Sequence, residues 1–92
     1  MATAPIRRVV LDLLKPHEPT TLEFAQRVAS TDGVTGVNVT VIEVDAEVEN
    51  VKMTVEGDDV DFEAVESAIT ELGGSLHSID QVACEDSETP QD

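Results

Sequence analysis

Val37-Asn-Val-Thr-Val-Ile-Glu-Val-Asp-Ala-Glu-Val-Glu-Asn-Val-Lys-Met-Thr-Val55 is the stretch on which the fold turns. Val37, Val39 and Val41 alternate with polar residues, and so do Val51, Met53 and Val55, with Asn50, Lys52, Thr54 and Glu56 facing away. A period of two marks half-buried strands. The acidic turn from Asp45 to Asn50 separates them closely enough for an antiparallel hairpin. Between them the phase slips, because Ile42 and Val44 are apolar where polar residues are due. Either a β-bulge or an apolar opposite face accounts for the slip.

Outward from the hairpin, each flank reads as a helix and then a strand. On the N-terminal side, Thr20 with Glu23 three residues later forms a capping box. Leu22, Ala25, Val28 and Ala29 follow at helical spacing, and the helix is predicted to end near Asp32-Gly33. Before it, Ile6 to Leu14 alternates as a strand, with Val9, Leu11 and Leu13 on one face and Arg8, Val10, Asp12 and Leu14 on the other. Pro16 and Pro19 stop that strand. On the C-terminal side, Asp61 is the predicted N-cap, Phe62, Val65, Ala68, Ile69 and Leu72 trace one stripe, and Gly73-Gly74 closes the helix. Ser75 to about Cys84 is the last strand. The order β-α-β-β-α-β, with right-handed crossovers, predicts an α+β ferredoxin-like sandwich: an antiparallel sheet of order 4-1-3-2 with both helices on one face. The predicted organisation is a flexible N-terminus over residues 1–5, one domain over 6–84 and a disordered acidic tail over 85–92.

Composition narrows the function. Twenty Asp and Glu stand against five Lys and Arg, a formal net charge of −15 on 92 residues. Such a surface lacks the clustered cations that bind phosphate backbones or anionic lipid, so neither nucleic acid nor membrane insertion is expected. It suits a salt-rich cytoplasm, because self-repulsion of this size destabilises a compact state until salt screens it. The single cysteine, Cys84, leaves no intramolecular disulfide. Met1-Ala-Thr-Ala-Pro5 has no apolar core of a secretory signal, and the expected location is cytoplasmic.

The topology gathers possible ligands at one end of the sheet: Asp12, Lys15, His17 and Glu18, then Glu43, Asp45, Glu47 and Glu49, then Ser75 and His77. Glu43-x-Asp45-x-Glu47-x-Glu49 places a carboxylate at every second position, which in an extended hairpin would share a side and repel. A hard divalent cation relieves that repulsion, and Ca2+ accepts six to eight oxygens in irregular geometry. His17 and His77 with Asp12 also raise a transition-metal reading, although the spacing matches no zinc motif. A hydrogen-bonded His77–Asp12 neighbour pair is the plainer expectation. No Ser-His-Asp order, nucleophile elbow or phosphate loop is present.

The run Val10-Leu-Asp-Leu-Leu-Lys-Pro-His-Glu-Pro19 resembles the opening of a family of short archaeal proteins known as domain of unknown function 211. Further similarities follow at Val37-Asn-Val-Thr40, Glu43-Val-Asp45, Glu49-Asn-Val-Lys52, Gly73-Gly74 and His77-Ser-Ile-Asp80, spanning about residues 6–83. The resemblance implies a ferredoxin-like fold, a ring-like homo-oligomer, an association with divalent ions, Ca2+ among them, and no settled enzymatic activity. Its matched positions include Asp12, His17, Glu18, Glu43, Asp45, Glu49 and His77, and Glu47 completes the turn. The function expected from these readings is a non-enzymatic, cation-responsive homo-oligomeric assembly module. The alternatives are a small-ligand-binding regulatory domain, and a hydrolase or isomerase using Asp12, His17 and His77.

The oligomer is expected to use the helix-free sheet face, through Val10, Leu14, Ile42 and Val44, and the free edges. Whatever the assembly, repulsion among carboxylates predicts that stability rises steeply between low and molar KCl, as the Debye length falls from about 10 Å at 0.1 M to about 3 Å at 1 M. Denaturation series at several salt concentrations measure this. Equal stability at the two extremes would mean the charges are already neutralised.

Overall fold

The computed structural model describes residues 3–85. Its elements are β1 (Ile6–Pro16), α1 (Thr21–Ala29), β2 (Val34–Val44), β3 (Val48–Gly57), α2 (Phe62–Glu71) and β4 (Ser75–Cys84). The sheet is antiparallel throughout, in the order β2-β3-β1-β4. This is the predicted ferredoxin-like α+β arrangement, read from the opposite edge. The predicted tail lies outside the described residues from position 86 onward; Glu85 is described, and its backbone N–H donates to the Pro5 carbonyl at 3.1 Å.

One core holds the layers together. Val9, Leu11 and Leu13 of β1 and Val51, Met53 and Val55 of β3 share a cluster with Phe24 and Val28 of α1 and Val65 and Ile69 of α2. The strand residues have one parity and meet both helices, so both helices lie on the same face of the sheet. Among the described residues no helix covers the opposite face.

The local signals act as the sequence indicates at both helix starts. Thr20 and Glu23 form the reciprocal capping box, and the Asp61 carboxylate accepts from the Ala64 N–H at 3.2 Å. The α1 stripe differs. Leu22 is 67% exposed and Ala29 is exposed, whereas Phe24 is fully buried; of the predicted stripe only Val28 is buried, and the core-facing row is Phe24 and Val28. The helix also ends at Ala29, short of Asp32-Gly33, because the Ser30 and Thr31 hydroxyls turn back onto the Gln26 and Val28 carbonyls. At Gly33 the backbone takes φ +81°, and a Cβ on Gly57 would overlap the Gly33 carbonyl oxygen; these two glycines let the start of β2 and the end of β3 touch.

The phase slip in β2 is a bulge. Val41 pairs with Val51 and Glu43 with Asn50, which leaves Ile42 as the extra residue. Thr35 is a second one, and β4 carries two more, Asp80 and His77. Strand β1 runs two residues past its predicted end, with Lys15 opposite Glu49 and Pro16 opposite Val48. A terminal proline interrupts no ladder there, since only the strand end is affected.

Phe24, and not Leu22, carries the packing of α1. Phe24→Ala is expected to cost about 3–5 kcal/mol, a large part of the roughly 5–15 kcal/mol that holds a domain folded. Leu22→Ala is expected to stay within about 0.5 kcal/mol of the parent. Urea unfolding at fixed salt measures both, and a larger loss at Leu22 would reverse the assignment of the buried stripe.

Candidate functional site

Alternation along β1 puts Lys15 next in the inward series after Val9, Leu11 and Leu13. It is accordingly buried, at a position where an apolar residue would be ordinary. Its ammonium donates to the Pro16 carbonyl at 2.7 Å and to Oε1 of Glu49, its cross-strand partner, at 3.2 Å. The other Glu49 oxygen, Oε2, lies 2.9 Å from Nδ1 of His17, and His17 Nε2 lies 3.0 Å from the Ala46 carbonyl. The end of β1 is thus joined to the root of the β2–β3 turn through the Glu49 carboxylate, and the tip of the turn is tied back through His17. That turn is closed by the Asp45 N–H donating to the Val48 carbonyl at 2.8 Å.

The two partners of His17 can only accept hydrogen bonds. Both contacts together therefore require both ring nitrogens to carry protons, which is the imidazolium form. Consistently, the His17 pKa is raised from its ordinary value near 6.5, first by the hydrogen bond with Glu49 and then by the Ala46 carbonyl. Glu49 is lowered from its ordinary value near 4.5, first by His17 and then by Lys15.

Among the eight predicted ligands, the structure brings together His17 and Glu49, with Asp45 and Glu47 flanking them in the exposed turn. The other four are dispersed. Glu18 is exposed in the loop after β1. Asp12 lies in the body of the sheet, opposite Lys52 and Ser78. His77 bulges out of β4 and is exposed, so the expected His77–Asp12 pair does not form. Glu43 stands opposite Asn50, and Val44 opposite Glu49. Paired residues share a face, so Glu43 and Glu49 lie on opposite faces. The every-second-residue spacing does not survive the turn. Among the described residues no group of three or more His, Cys, Asp or Glu is arranged to hold a metal ion. The residue that organises this end is a cation, Lys15, together with the Pro16 and Ala46 carbonyls. The sequence signal for Lys15 was its place in the inward series of β1.

The matched family model is that of domain of unknown function 211, described as an uncharacterised ArCR family, over residues 7–92. The chain belongs to this family. It is also 49% identical over 92 residues, 95% of each chain, to a protein of Methanocaldococcus jannaschii whose own description is "uncharacterized protein". Among the described residues no helix is long and apolar enough to cross a membrane.

The pKa directions set a pH window for this family member. A raised His17 pKa contributes stability that is complete below about pH 6.5 and is lost as pH climbs through the higher folded value. A lowered Glu49 pKa contributes stability that is present above about 4.5 and is lost as pH falls through the lower folded value. The advantage of the parent over His17→Ala in melting temperature is therefore expected to peak between about pH 4.5 and 6.5 and to shrink at higher pH. A difference independent of pH would show that His17 does not hold the turn in its protonated form.

Proposed function

We propose that this chain is a non-enzymatic, homo-oligomeric assembly module whose association responds to cations. The observation that carries the reading is the apolar surface left at the two margins of the sheet. On edge strand β2, Val41, Ile42 and Val44 are exposed, Val44 by 61%; on edge strand β4, Ile79 and Val82 are exposed, Val82 by 51%. Large apolar side chains grouped at an exposed margin are a common feature of interaction surfaces.

The proposed contact keeps Ile42, Val44 and the sheet edges of the sequence-based expectation and moves away from the centre of the helix-free face. Val10, at the centre of the helix-free face, is only 8% exposed, flanked across the strands by Thr54 and Gln81, and the same face carries Arg8, Asp12, Lys52 and Glu56. Val44 pairs with Glu49 and so belongs to the helix side. Bulges at Thr35 and Ile42 in β2, and at His77 and Asp80 in β4, also blunt both edges against continuous strand pairing. Side-chain contact at the margins is the favoured route. Because the β2 and β4 margins are different surfaces, joining one to the other is a head-to-tail contact, which closes into a ring when the rotation permits.

Cations enter through the charge. Subunits each carrying −15 repel, and the carboxylates of Glu43, Asp45 and Glu47 are exposed beside the β2 margin. An ion shared between neighbouring subunits relieves that repulsion at the contact. Ca2+ is the expected strongest effector, since it tolerates irregular oxygen sets.

Multi-angle light scattering tests the reading. The parent is expected to be an oligomer in molar KCl, and to shift further toward the oligomer with Ca2+ than with KCl at matched ionic strength. Val44→Asp and Val82→Asp alter exposed positions, and each is expected to leave a folded monomer. A parent that stays monomeric at every salt concentration, or variants that retain the parent mass, would overturn the proposal.

A further inference from the structure

Lys15 is the one buried polar or charged residue among the described residues. A chain with five basic residues for twenty acidic ones places one of the five where water does not reach it. Lysine rarely occupies such a position, because removing an ammonium from water is costly unless oxygens replace the lost hydration. Here the replacements are one carbonyl oxygen, from Pro16 at 2.7 Å, and one carboxylate oxygen, from Glu49 at 3.2 Å. A neutral acceptor and an anionic one converge on one point, which therefore favours a positive charge with N–H groups to give, and the stem of Lys15 reaches that point from the core row of β1.

We propose that this end of the sheet is a cation cage whose resident ion is the tethered ammonium of Lys15. Its ligand class is the ammonium group and ions of similar size and charge: primary alkylammonium, ammonium and K+. The cage is distinct from the exposed carboxylates that respond to external cations. Glu49 is already occupied, by Lys15 on one oxygen and His17 on the other, so the end of β1 stays locked to the hairpin without help from dissolved salt. The inference holds for a single chain and does not depend on association between subunits.

Cutting the tether opens the cage to a free ion. In Lys15→Ala the stem is gone while Glu49 and the Pro16 carbonyl remain. Its melting temperature is expected to rise saturably by several degrees more in ethylammonium chloride than in tetramethylammonium chloride at the same concentration. Tetramethylammonium has the charge but no N–H and is too large. The parent and Lys15→Met, whose cage is filled, are expected to respond equally to the two salts. If Lys15→Ala is unfolded in plain buffer, recovery of its circular dichroism in ethylammonium but not in tetramethylammonium supports the cage. No difference between the two salts overturns it, in either readout. A second measurement does not require that variant to fold. Lys15→Met frees Oε1 of Glu49 while His17 still holds Oε2, and Lys15→Met and Glu49→Gln disrupt the same contact, so the double variant is expected to lose less melting temperature than the sum of the two single losses. Losses that simply add would contradict the proposal.

Discussion

From Arg8 opposite Glu56 to Pro16 opposite Val48, the β1–β3 ladder keeps one register with no extra residue on either strand. Its inward pairs are Val9 with Val55, Leu11 with Met53, Leu13 with Val51 and, last, Lys15 with Glu49. Three pairs are apolar and bury the centre of the sheet beneath Phe24, Val28, Val65 and Ile69. The fourth continues the same row as an ion pair. A slip of one residue would expose the whole apolar row and would also strand a buried ammonium. The register is therefore fixed twice, by area along the strand and by charge at its end.

The outer ladders are built differently. Strands β2 and β4 each contain two bulged residues, and their apolar side chains, Val41, Ile42, Val44, Ile79 and Val82, stay exposed. A regular centre with irregular margins limits open-ended strand addition while leaving surface for a side-chain contact. The charge acts on the same division. Three of the five basic groups are at the surface, where Arg8 faces Glu56 at 3.6 Å, Arg27 faces Glu71 at 2.6 Å and Lys52 faces Asp80 at 3.7 Å, while Arg7 is partly buried. Solvent-exposed pairs of this kind contribute little each and are screened by salt. Lys15, fully buried, works out of reach of screening.

The fold was legible in the sequence because its signals are local: a period of two in β1, β2 and β3, a capping box at Thr20, an Asp61 cap and glycines after α2. The interrupted period at Ile42 was legible, with a bulge and an apolar opposite face both open until the pairing decided for the bulge, and β1 was readable as far as Leu14. The α1 stripe was misread because Leu22 and Phe24 both fit a helical row and only packing against β1 and β3 selects between them. The site was legible in position and not in chemistry. His17 and Glu49 meet at the predicted end, but pairing across the turn decides which carboxylates share a face, and no spacing within one strand reveals that. Asp12 and His77 were placed too near the end because neither the two-residue advance of β1 nor the bulge at His77 has a clear sequence mark. Lys15 was placed at this end, but its burial was not foreseen: a charged residue in an apolar row looks like a boundary, yet the row runs through it.

The central claim is that the Lys15 ammonium is sequestered from water and bonded to Glu49. The chain has two lysines, Lys15 buried and Lys52 half-exposed, which provides an internal control. Nitrogen-15 NMR of the side-chain ammonium groups near neutral pH measures the claim directly. The account predicts a resolved, slowly exchanging Nζ–H signal from Lys15, with a correlation to the Glu49 carboxylate carbon, and none from Lys52. Ammonium protons that exchange equally fast at both lysines would contradict it.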